Sequence, residues 1–339
     1  MMRGDHVWTG EGRGWTRREF LRAAGCGAIA AGTGLWSCAR WRRAEVFVGK
    51  AATYSIDLVP IITAGLRELG VLPAEVVGKR ILLKPNLVEP RRGAEHINTH
   101  PAVVHAAAEA FLRLGAAAVE VGEGSGHCRD PLRVLEESGL AEVLHEDRLR
   151  FTDLNLDDWE EVPNAGSATK LAQLALPDAI RRADWVVSVA KMKTHHWAGV
   201  TLSMKNLFGV LPGAIYGWPK NVLHVAGIHQ SIVDICATVK PRFAIVDGIV
   251  GMEGDGPIMG EAKAAGVLVM GRDLPAVDAT AARIMEIDPE KVAYLAYSGG
   301  RLGVTDARSI EQRGERIADV ATPFQLLQKI PAQRGLRAG

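Results

Sequence analysis

Cysteine is scarce in this sequence: four in 339 residues, at 26, 38, 128 and 236. That excludes a disulfide-stapled small domain and leaves no metal-binding pair of closely spaced thiols. Neither sign of charge is in excess. Lys and Arg number 40 against 39 Asp and Glu, a formal net charge of +1, which removes the electrostatic case for a nucleic-acid partner. Beyond residue 38 no stretch is long and apolar enough to span a bilayer, and there is no internal repeat or low-complexity segment. What is present is ordinary globular composition, 47% apolar and 23% charged, enough for a sizeable core. The length suggests about two domains. The 37 glycines suit tight turns and close backbone approaches.

Residues 16–38, TRREFLRAAGCGAIAAGTGLWSC, are a short basic region followed by a weakly apolar, Gly/Ala-rich run. Arg17 and Arg18, followed by Phe20 and Leu21, resemble a twin-arginine export signal. An amphipathic helix is the competing reading, and the lack of a polar face between Leu21 and Ser37 argues against it. Leu35–Cys38 resembles a lipoprotein cleavage box, with Cys38 as the lipid attachment site. The expected location is therefore periplasmic or the outer face of a membrane, and the expected first partner is the twin-arginine export machinery. Removing 1–38 takes away five arginines and three acids, leaving 35 basic against 36 acidic residues. Cys128 and Cys236 then permit one disulfide without requiring it.

The rest alternates short apolar runs with helical patterns. Strands are expected at 45–48, 80–84, 118–122, 150–152, 185–190, 243–247 and 266–270. Helices are expected at 57–69, 101–114, 132–137, 178–182, 225–238 and 275–285. Pro101 and Pro275 stand where a helix would start. This alternation predicts an α/β fold: two doubly wound Rossmann-like lobes, at 45–184 and 185–330, with mainly parallel sheets and a cleft between them. Polar residues 153–177 predict a hairpin or loop, and the tail from Pro331 is expected to fray.

The segments that could carry chemistry stand at strand ends. In VVSVAKMKTHHWAGVTLSMKNLFGVLPG an apolar strand runs into Lys191, Lys193, His195 and His196. In extended backbone the first three share a face, past the carboxyl end of a strand where α/β sheets bind ligands. Lys205 and Asn206 follow. Lys84 and Asn86 end the strand RILLKPN and could hold a phosphate or carboxylate. Val121–Asp130 brings Gly122, Gly124 and Gly126 beside His127, a group suited to acid–base work. Asp247 ends another strand, and His224 stands at a helix entrance; both are candidate metal ligands. The alternative at each position is a solvated loop or strand end.

The stretches LLKPNLV, THPAVV, VGEGSGH, SVAKMKTHHWAGVTLSMKNLFG and VDGIVGMEGDGPIMG resemble the family called domain of unknown function 362, over about residues 45–300. Some members carry ferredoxin-like cysteine runs. This chain has none, so no iron–sulfur cluster is expected. The stretch from His195 through Ala198-Gly199 to Lys205 and Leu211-Pro212-Gly213 is also similar to the active-site segment of nickel-pincer lactate racemase. That resemblance implies Lys205 as the attachment site of a pyridinium-derived nickel cofactor, with His127 and His195 as an acid–base pair. The Gly-Gly that precedes the lysine there, and makes room for the cofactor, is Ser203-Met204 here.

Three expectations follow. The first is an enzyme moving a proton or hydride on a small anionic substrate between the lobes, racemase- or oxidoreductase-like. There Lys84, Lys191 and Lys193 neutralise the anion and His127 and His195 move protons. The second is an exported protein that binds an anion or cofactor without turnover. The third is a metal-binding protein resting on His195, His196, His224 and Asp247.

Overall fold

The computed structural model describes residues 43–127 and 130–337. The export segment with Arg17, Arg18 and Cys38 lies outside the described residues, as do Cys128 and Arg129. The described residues form eleven strands, the central ones from apolar, β-branched runs: β1 (Ala44–Lys50), β2 (Arg80–Pro85), β3 (Ala118–Glu123), β4 (Arg150–Asp153), β5 (Trp159–Pro163), β6 (Gln173–Pro177), β7 (Trp185–His195), β8 (Gly199–Thr201), β9 (Phe243–Glu253), β10 (Glu261–Gly271) and β11 (Ile310–Gly314). Nine of them make one sheet in the order β11-β1-β10-β9-β7-β2-β3-β4, with β8 paired to β7. The pairings of β1 with β11, and of the run β9-β7-β2-β3-β4, are parallel; β10 is antiparallel to both β1 and β9. The polar stretch 153–177 holds the hairpin β5–β6.

The expected α/β class is the observed one, and the expected helices are in place, including Val59–Glu68, Pro101–Arg113, Ile228–Val239 and Leu274–Ile284. Pro starts or nearly starts three of these, and Asp273 caps the last through the Ala276 amide. The expected division into two lobes at residue 184 is not found. β7 begins at 185 but lies between β2 and β9, hydrogen-bonded to both, so one sheet runs through the proposed boundary. Two halves of a doubly wound pattern had joined edge to edge, and strand order is not written in local periodicity.

Two apolar layers cover the sheet. On one face Leu82, Val186, Ala190 and Met192 pack under the helices Ile228–Val239 and Leu274–Ile284. On the other, Ile81, Leu83, Val187 and Val189 pack under Val59–Glu68 and Pro101–Arg113. The tail expected to fray is instead packed: Leu336 joins the first layer, and the buried Gln333 amide donates to Gly254 O at 2.8 Å. Among the described residues, no helix is long and apolar enough to cross a membrane.

Candidate functional site

β7 and β9 extend several residues past their apolar cores, so their polar ends remain strand. Around the carboxyl ends of β2, β3 and β7 lies a cavity of about 190 Å³. Seven expected site residues line it: Lys84, Asn86, His127, His195, Lys205, Asn206 and His224.

Lys84 and Glu123 form its floor. Both side chains are at most 2% exposed, and Lys84 Nζ lies 2.8 Å from Glu123 Oε1. The same ammonium donates to Pro85 O at 2.9 Å and Asn206 Oδ1 at 3.0 Å, so its three protons are engaged. Burial lowers the Lys84 pKa, and Glu123 opposes that shift. The Asn206 amide is equally committed, donating to Lys84 O and Ser188 Oγ. Lys84 and Asn206, expected to grip an anion, instead brace each other and Glu123. Gly209 is glycine because a Cβ there would overlap Glu123 Oε1 and lie 2.6 Å from Lys84 Nζ.

The cavity's unengaged groups lie above that floor. Lys205 stands on the turn Ser203–Asn206, which buried Asp278 caps by accepting the amides of Ser203 at 2.7 Å and Met204 at 3.0 Å. Lys205 Nζ sits 4.0 Å over the face of Phe208, and among the described residues no hydrogen-bond acceptor is in contact with it. Burial, then the charge of Lys84, lowers its pKa to about 7. Lys220, which the sequence reading missed, also lines the cavity and is 1% exposed. It adopts φ 68°, a left-handed conformation costing a non-glycine residue about 1 kcal/mol. Its Nζ donates to Asn155 Oδ1 at 3.1 Å and to Leu211 O, leaving one proton over. Burial brings it too to about 7. Two buried polar atoms on the lining, Asn86 Oδ1 and Thr201 Oγ1, have no partner among the described residues. Such atoms are rare unless something binds them.

Two histidines of the lining, the buried His195 and the half-buried His224, hold opposite tautomers. His195 Nδ1 accepts the amides of Trp197 at 3.0 Å and Ala198 at 3.2 Å. In a neutral ring the proton is then on Nε2, and burial with nearby Lys205 holds the ring well below its ordinary pKa. His224 Nδ1 instead lies 3.1 Å from Lys220 O, a carbonyl that can only accept. Its proton is on Nδ1 and Nε2 is bare. Burial and Lys205 lower this ring to about 4. His195 is thus a donor and His224 an acceptor. His127, expected to pair with His195, is mostly exposed at the rim, with its Nδ1 against Glu89 Oε1.

Three expected residues are elsewhere. Lys191 Nζ donates to Asp247 Oδ2 at 2.6 Å, Glu95 O at 2.8 Å and Tyr54 OH at 2.9 Å. Asp247 also accepts from Tyr54 OH and from the His100 and Ile249 amides. Both side chains are fully buried, so Lys191 has no proton left for an anion and Asp247 no lone pair directed at a metal. The reason is pleat parity. Lys84 pairs with Ser188 and Asp247 with Lys191, and positions 188 and 191 of one strand face opposite sides. Lys193 is also fully buried, with Pro257 O at 3.3 Å, and burial holds it well below the usual lysine pKa. A metal set built on His195, His196, His224 and Asp247 is not assembled: Asp247 is on the other face and His195 Nδ1 is taken. Among the described residues no group of three or more His, Cys, Asp or Glu is arranged to hold a metal ion. Cys236 is buried and not in a disulfide.

The nickel-pincer cofactor meets the right amine and a bare imidazole nitrogen here but not the room. Cavities for drug-sized ligands run about 300–1,000 Å³, against about 190 Å³ here. Ser203 and Met204, at the place of the two glycines, are wholly buried, bound by Asp278 and the core rather than opening space beside Lys205. The residues present do not fit that group.

A family model described as "Domain of unknown function (DUF362)" matches residues 81–283. The Thylakoid-associated protein sll1697 of Synechocystis is 29% identical over 235 residues, covering 67% of this chain and 69% of that protein. Among solved structures, the lactate racemase apoprotein of Thermoanaerobacterium thermosaccharolyticum superposes with TM-score 0.46 at 12% identity over 72% of this chain. A Thermotoga maritima protein does so with TM-score 0.35 at 11% identity over 67%. The matched region spans 57% of each of those two solved chains.

Proposed function

The chain belongs to the DUF362 family, and from that premise we propose that it is an exported enzyme acting on a small anionic substrate by histidine-assisted proton transfer. The observation that carries this reading is the complementary pair of tautomers, His195 with its proton on Nε2 and His224 with Nε2 bare, lining one cavity. A donor and an acceptor are the two things a proton transfer at carbon needs: one to hold the developing oxyanion, the other to take the proton. Lys220, with one proton left over, supplies charge for a carboxylate, while Lys84 and Glu123 neutralise each other below it. Thr201 Oγ1 and Asn86 Oδ1 are polar atoms that a bound ligand would satisfy. The volume, about 190 Å³, suits a molecule of a few carbons. Export rests on the twin-arginine-like segment of the sequence.

Incubation of the protein in D₂O with a panel of small hydroxy and oxo acids, read by proton NMR, tests the proposal. Catalysed C–H exchange that disappears in His195→Gln and His224→Gln supports it. Binding without exchange for every acid would overturn the enzyme in favour of an exported anion-binding protein. Absence of both would remove the cavity as an anion site.

A further inference from the structure

The cavity has three lysines on its lining, and they are not equivalent. Lys84 is consumed by Glu123, Asn206 and the Pro85 carbonyl. Lys220 is tethered to Asn155 and the Leu211 carbonyl. Lys205 alone of the three meets an aromatic face in place of an acceptor. An ammonium gains from a ring face less than it loses on burial, and the charge of Lys84 adds to that cost while Glu123 opposes it. The geometry therefore favours a free amine, with a lone pair in a cavity that also holds an imidazole donor.

Resting on the reading of the cavity as a small-anion site, we propose that its ligand class is a 2-oxo acid or aldehyde acid and that Lys205 condenses with the carbonyl to form an imine. The Nζ lone pair forms the C–N bond while the carbonyl π pair moves to oxygen, which is protonated. The carbinolamine then loses that oxygen as water, together with a proton from Nζ, and C=N is left. One water is released, and no oxidant or reductant is consumed. His195, protonated on Nε2, can hydrogen-bond the carbonyl oxygen, and Lys220 and Thr201 can receive the carboxylate. The lysine pKa of about 7 agrees with this placement, since about half the amine is free at neutral pH. An imine also withdraws electrons from the neighbouring carbon, whose proton the bare Nε2 of His224 can then take.

The test treats the protein with pyruvate or glyoxylate and sodium cyanoborohydride, followed by intact mass and peptide mapping. One reduced adduct per chain, at Lys205 and absent from Lys205→Arg, supports the proposal. In the wild-type protein the trapping rate should rise through a midpoint near pH 7, where an ordinary lysine rises near 10; this readout needs no variant to fold. Adducts spread over surface lysines, or a midpoint near 10, overturn it. If calorimetry shows pyruvate bound yet nothing is trapped, the imine is overturned and the anion site stands. If pyruvate and glyoxylate neither bind nor react, both fall.

Discussion

Asp278 accepts the Ser203 amide at 2.7 Å, and that bond orients the short turn on which Lys205 stands. The same carboxylate takes the Met204 amide and the Tyr294 hydroxyl. It lies outside the cavity lining, so it positions Lys205 without meeting a ligand. Asp278→Ala would leave those donors buried and unpaired. At about 1–3 kcal/mol for a buried unsatisfied group, we expect a loss of several kcal/mol in urea unfolding.

The same residue sets a pH dependence. Burial pushes the Asp278 carboxyl up to about 7, against the donors that lower it. An acid raised in the folded state is most favourable to folding below its unfolded pKa, near 4, and that contribution is lost as pH rises through 7. Asp278→Asn should remove this component. The difference in unfolding midpoint between variant and wild type should then shift between pH 4 and 8, in the direction that favours the variant at the higher pH. A constant difference would count against it.

The Lys191–Asp247 pair, on the face opposite Lys84, is expected to be structural. Removing one partner of a buried pair costs about 3–5 kcal/mol, so Lys191→Met should lower stability by that order. The double change Lys191→Met with Asp247→Leu should recover part of it, and carboxylate affinity in the cavity should stay within about twofold. A large affinity loss in the folded double variant would restore Lys191 to the site.

Carboxylate affinity should itself fall as pH rises from 6 to 8. Lys205 and Lys220 are both brought to about 7 by burial, and an anion prefers them protonated. His195 and His224 are held below the usual imidazole range, His224 to about 4, and contribute no step there. Lys220→Met should weaken binding at pH 6 by about tenfold or more, the scale of one charged hydrogen bond. Calorimetry across that range checks both statements.

Gly209→Ala places a methyl group against Glu123 and Lys84. The neighbours are a rigid buried pair, so the expected cost is about 1–3 kcal/mol, read by denaturant unfolding. A neutral effect would mean that the cavity floor yields more easily than its hydrogen bonds imply.

Much of this molecule was legible in its sequence. Apolar runs located seven of the eleven described strands, six of them to within one residue at their starts, because a sheet buried on both faces needs unbroken hydrophobic segments; β10 starts five residues earlier than expected, and β8 and β11 carry no such run. Prolines at helix starts and the polar stretch 153–177 were equally readable. Seven of the expected site residues do line one cavity, since strand ends in a parallel sheet converge on one edge. The sequence by itself therefore determined the class of fold, seven of the sheet's nine strands and the edge on which chemistry would lie. Strand order was decided only in three dimensions: β7 joins β2 to β9 through contacts far apart in the chain, and that pairing turned two expected lobes into one sheet. Which lysines are free was also a tertiary matter. Lys84, Lys191 and Lys205 look alike as strand-end or turn cations. Lys84 and Lys191 are fully buried and folding supplied Glu123 to the first and Asp247 to the second, whereas Lys205, partly open to the cavity, meets the face of Phe208.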